Sequence, residues 1–131
     1  MDLSKVDRKM LDMVVDFCVL KLGYSKFCPR FPRIILYRNL LSPQKKSRMG
    51  YYDPFSNTLV IYRSAHKNLT EFIDTIIHEY VHYLQDHEEY EVLSKSHGYK
   101  DHPHEIEAVS VAKKLTPRAK LWIKKQLFSR N

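Results

Sequence analysis

The chain has 131 residues, a net charge of +7 from 22 Lys and Arg against 15 Asp and Glu, and 44% hydrophobic residues. That balance excludes a disordered polyelectrolyte, and the length suits one domain over 1–131 with a single modest core. No long apolar run follows the charged start MDLSKVDRKMLDMVVDF, so neither a signal peptide nor a membrane span is expected. A cytoplasmic location with no membrane partner is the expectation, and Cys18 and Cys28, at no paired-ligand spacing, are expected as free thiols.

In chain order, residues 3–22 read as a helix with Val6, Met10, Met13, Val14, Phe17 and Leu20 at helical spacing and Gly23 as the stop. The proline-broken KFCPRFP (26–32) leads to a strand at RIILYRNL (33–40). LSPQKKSRMG (41–50) is a polar, basic turn region. YYDPFSNTLVIYR (51–63) reads as a hairpin, with Asp53-Pro54 and Ser56-Asn57 at the turn. Asn68 and Glu71 form a capping box for a helix over 69–86, whose apolar stripe is Phe72, Ile73, Ile76, Ile77, Tyr80 and Leu84. Residues 86–101 are polar and read as a loop with some local structure. Asp101 or His102 then caps a helix starting at Pro103, and Thr116 caps a last helix starting at Pro117. The order is α+β: an N-terminal helix, a small antiparallel sheet of about three strands, a site-bearing helix and two C-terminal helices.

After Glu107 the chain has no acid, and Lys113, Lys114, Arg118, Lys120, Lys124, Lys125 and Arg130 account for the whole net charge. The basicity is thus a feature of the C-terminal helix, which offers either a solvated face or a contact for DNA or another polyanion.

The most specific signal is HEYVH, His78 to His82. On a helix the two histidines lie one turn apart on one face and can converge on a zinc ion. Glu79, off that face, can still reach a water at the metal as general base. From seven His and seven Glu, chance yields roughly 0.02 such matches in a chain of this length. A catalytic zinc site needs a third protein ligand and an open position. Six of the seven histidines fall between 78 and 104. His87 turns away from His82, which leaves His97, His102, His104, Glu105 and Glu107. In HPHEIEA, Glu105 lies in the opening turn and Ala108, on the same face, lets two helices approach. Glu107 points about 200° away from Glu105.

HEYVHYLQ followed by HPHEIEA resembles the small HExxH…E zinc metallopeptidases, the minigluzincin and ImmA/IrrE-like proteins of bacterial and phage type. The resemblance implies a zincin-like fold and a peptidase acting on protein or peptide. Its implied ligands are His78, His82 and Glu105, with Glu79 as base. The larger gluzincins place an Asp or Asn four residues after the ligand Glu to orient a histidine, and this chain has Val109 there. A second resemblance is to the SprT-like, or Spartan, proteases, in which SHGYK would make His97 the third ligand and DNA a partner. A zinc-stabilised nucleic-acid-binding module without catalysis is the remaining alternative. TLVIY (58–62) is the expected edge strand for an extended substrate. Tyr83, Tyr90, Tyr99 and His104 are the candidate donors to an oxyanion.

Overall fold

The computed structural model describes residues 3–38 and 49–129, with side chains from 7 to 38 and from 49 to 128. Most of the turn region read at 41–50, the end of the first strand, Arg130 and the side chain of Val6 lie outside the described residues.

Helix α1, Leu3–Leu22, buries Leu11, Val14, Phe17 and Cys18 completely or almost so. Its apolar stripe is centred there, and Leu20, expected on it, is 67% exposed. Gly23 ends the helix at φ 77 and donates its N–H to Val19 O, as expected of a residue without a Cβ at a helix end.

Three strands follow: β1 (Arg33–Tyr37), β2 (Gly50–Asp53) and β3 (Thr58–Tyr62), in the order β1-β3-β2. The sheet is mixed, not antiparallel. β1 runs parallel to β3, with Ile34 beside Leu59, while β2 is antiparallel to it, with Tyr52 beside Leu59. The hairpin β2–β3 forms as read. Asp53 accepts from Phe55 N and Ser56 Oγ, and Asn57 closes the turn at φ 51, a conformation Asn tolerates. The expectation that TLVIY is an edge strand is corrected. All five residues of β3 are buried and both its neighbours are strands, as a run with no polar alternation requires. The edges are β1 and β2, and β2, whose residues are all half-buried, is the one that lines the cleft beside α2. β2 starts where it must: a Cβ on Gly50 would stand 2.7 Å from Val60 O, closer than any side chain can sit.

A short 3-10 turn, Arg63–Ala65, leads to helix α2, Leu69–Leu84. Asn68 caps it by accepting from Glu71 N, and Glu71 Oε2 accepts in turn from Lys67 N, one residue earlier than in a strict capping box. Phe72, Ile73, Ile76, Ile77 and Tyr80 are buried, as read, with Val81 and Tyr83 beside them.

The polar stretch after α2 holds helix α3, His87–Ser94, capped by Asp86, which accepts from Glu88 N and Glu89 N. Helix α4 then runs unbroken from Pro103 to Ser129, so the two expected C-terminal helices are one. Thr116 is not a cap. Its hydroxyl donates to Ala112 O, and the N–H that Pro117 lacks is missed only on the exposed side of the helix. Ala108, Ala112, Leu115, Ala119 and Ile123 form one buried stripe across the proline, and packing against α2 holds it straight through.

His66, 6% exposed, packs between the 3-10 turn and α2, with Nε2 2.9 Å from Thr75 Oγ1 and no partner at Nδ1. Burial, the largest influence, holds its pKa below the ordinary 6.5. The unfolded chain therefore binds the proton first, so this stability is complete above pH 6.5 and lost as the pH falls below it. Melting temperatures measured from pH 8 to pH 5 are expected to fall at the acid end, and the fall should be shallower in His66→Gln. An equal slope in both proteins would contradict the assignment.

Candidate metal centre

The regularity of α2 puts His78 and His82 one turn apart, and the start of α4 delivers Glu105 between them. Glu105 Oε1 lies 3.3 Å from His78 Nε2 and 3.0 Å from His82 Nε2, and the two ring nitrogens are 3.2 Å apart. Three donors at 2.0–2.1 Å from a tetrahedral zinc stand about 3.3 Å from one another. Two imidazole nitrogens and one carboxylate oxygen at 3.0–3.3 Å therefore fit zinc in both chemistry and spacing. Glu79 also belongs to the cluster, its carboxylate lying within 4.8 Å of both histidines. It is the looser neighbour, since Glu105 touches both rings and the Tyr52 main chain of β2 hydrogen-bonds Glu79.

The fourth side is a cleft of about 920 Å³ between β2 and α2, closed at one end by α3. Among the described residues its lining includes Gly50, Tyr52, Phe55, Tyr90 and Tyr99, with carboxylates from Asp53, Asp74, Glu79, Glu91 and Glu105 and neither Lys nor Arg. Burial pushes the pKa of Glu79 up, against the pull of His82 and His78. Burial also pushes Glu105 up, but hydrogen bonds with His78, His82 and Tyr90 outweigh it and hold the carboxylate well below its usual range. His82 is desolvated, which lowers its pKa, yet Glu105, Glu79 and Gln85 together raise it.

Groups outside the ring hold these side chains in place. Tyr90 Oη donates to Glu105 Oε2 at 2.5 Å, which leaves Oε1 facing the histidines. Gln85 Oε1 lies 2.7 Å from His82 Nδ1, while Gln85 Nε2 donates to His104 O at 2.9 Å and to Glu107 Oε1 at 2.8 Å. Asp74, one turn before His78, lines the cleft; burial raises its pKa against the His78 charge.

The other sequence candidates are engaged elsewhere. His97 Nδ1 lies 3.1 Å from Leu93 O. His102, 1% exposed, caps α4 by accepting His104 N–H at Nδ1, its Nε2 meets Tyr90 O, and its ring stacks on Tyr90 at 4.0 Å. His104 Nε2 pairs with Glu89 at 2.7 Å. Glu107 faces away from the histidines to Gln85, as its angle on the helix requires. Of the candidate oxyanion donors, Tyr83 turns to Ser25 N and His104 to Glu89, whereas Tyr90 and Tyr99 line the cleft. Gln85 and Asp74 were not singled out in the sequence. The only signal for Gln85 is its place three residues past the second histidine, at the end of the helix.

Comparisons with protein-family models, with curated proteins and with solved structures yield no match to this chain.

Proposed function

We propose that the protein is a zinc-dependent metallopeptidase of zincin type, with His78, His82 and Glu105 as ligands and Glu79 as general base. The reading rests on the convergence of three donor atoms at 3.0–3.3 Å beside a buried carboxylate in an open cleft. Zinc bound there would supply Lewis acidity to a peptide carbonyl and lower the pKa of a water. Glu79 accepts the proton from water as its oxygen attacks the carbonyl carbon. It then returns the proton to the nitrogen as the C–N bond breaks. A carboxylate whose pKa is raised by burial suits both steps. Strand β2, as the sheet edge along the cleft, is the element available to an extended peptide. The version with His97 as third ligand finds less support, because His97 does not line the cleft and Glu105 is the group that meets both histidines.

The test is hydrolysis of casein or a peptide library by protein purified without chelator, then stripped and reloaded with zinc. Activity that tracks zinc one to one supports the reading. Stoichiometric zinc with no hydrolysis favours the inert, metal-stabilised module.

The basic residues of α4 add a partner to this proposal. Lys113, Lys114, Arg118, Lys120, Lys124 and Lys125 are all exposed, and DNA or another polyanion fits them. Affinity for duplex DNA should fall steeply as salt rises, and replacing the six by Gln should abolish it. Binding that ignores both changes would rule the partner out.

A further inference from the structure

We propose that Gln85 is the positioning residue of this centre: held by Glu107 and the His104 carbonyl, it fixes His82 as the Nδ1–H tautomer with Nε2 free for a divalent cation. The inference rests on the metal reading above for its consequence, but on hydrogen-bond chemistry for its content.

A glutamine amide has one accepting end and one donating end. The groups facing the outer end of Gln85 are the His104 carbonyl at 2.9 Å and Glu107 Oε1 at 2.8 Å. The backbone carbonyl can only accept, and Glu107, also meeting that end, accepts as a carboxylate. A flipped amide would set oxygen against both, so the NH₂ group must point outward. The amide oxygen then faces His82 Nδ1 at 2.7 Å, a distance that requires a hydrogen on that nitrogen. In the neutral ring the lone pair falls to Nε2. Nε2 is the atom that meets Glu105 at 3.0 Å and His78 at 3.2 Å.

The backbone makes this possible. Gln85 is the C-cap of α2, where its own N–H returns to His82 O and its side chain meets the ring of His82. The anchors come from α4, so the amide also couples the helix carrying two ligands to the helix carrying the third. His82 thus has an orienting partner from the end of α2, which Val109 does not supply.

The test uses the full chain. In the zinc-loaded parent, ¹⁵N spectra should show His82 bonded through Nε2, with a protected Nδ1–H. Gln85→Leu should weaken zinc binding by about 10–100-fold in chelator competition and expose that proton to solvent exchange. Gln85→Glu, which brings a carboxylate against Glu107, should weaken it as well. Q85E/E107Q restores an acceptor for His82 and a donor at 107 but still sets an oxygen against the His104 carbonyl, so it should recover part of the affinity lost in Gln85→Glu. The proposal is overturned if His82 binds zinc through Nδ1. It is also overturned if Gln85→Leu keeps affinity within about twofold of the parent, against the 10–100-fold expected of an outer partner. If the parent takes up no zinc, the metal reading falls by itself. The ¹⁵N shifts of the zinc-free protein, at a pH where His82 is neutral, then decide the tautomer, and an Nε2–H form would overturn the proposal.

Discussion

Glu79→Gln is expected to leave zinc bound at one equivalent while hydrolysis falls by at least about 10²–10⁴-fold, the usual contribution of a general base. The amide keeps the volume of the carboxylate and still accepts from the Tyr52 main chain, which now holds Glu79 against β2. It cannot take a proton from water. Since Glu105 and not Glu79 touches both histidines, the metal site should survive the change. Elemental analysis and peptide-cleavage rates on the same preparation check the two halves together. Loss of zinc in Glu79→Gln would make Glu79 a ligand. Retained activity would remove it from the chemistry altogether.

Glu105→Ala should have the opposite signature, losing zinc and activity together. One oxygen of Glu105 bridges both histidines and the other holds Tyr90, so removal takes a partner from three groups at once. The three groups are half-buried and line the cleft, where water can replace the lost oxygen, so the metal-free protein should melt only slightly earlier. Zinc affinity should fall further than the 10–100-fold expected of an outer partner. Tyr90→Phe is the graded comparison: it removes one hydrogen bond, worth about 1 kcal/mol, and leaves the ligand in place. His97→Ala is the negative control, because His97 does not line the cleft. If His97→Ala lost zinc and Glu105→Ala kept it, the third ligand would be reassigned to His97.

Much of this centre was legible because helix α2 announces itself several ways. Its cap, its apolar stripe and the HExxH spacing agree, while the turn that Pro103 opens made Glu105 one candidate among several for the third position. The rest needed tertiary information. Helix α3 has no buried residue and therefore no apolar stripe to read; only the Asp86 cap marks it. Thr116-Pro117 has the local chemistry of a helix start, but a buried stripe running past it overrides that preference. The place of TLVIY just before the site suggests an edge strand. Yet its unbroken burial marks a central strand, and the half-buried GYYD before it is the edge on the cleft side. The parallel pairing of β1 with β3 depends on a crossover that no local pattern encodes. Gln85 could not be told from any other polar residue until Glu107 and His104 O were placed beside it.

The long fourth helix has a consequence of its own. Twenty-seven residues extend about 40 Å, so the acidic cleft at its start and the lysines of its distal half are separate regions of the molecule. Glu105 sits at the end where the peptide dipoles favour negative charge, and Lys124 and Lys125 sit toward the end where they favour positive charge. The helix is thereby a polarised rod. Tethered to a polyanion by its far end, it would keep its cleft unobstructed and raise the local concentration of whatever protein shares the tether.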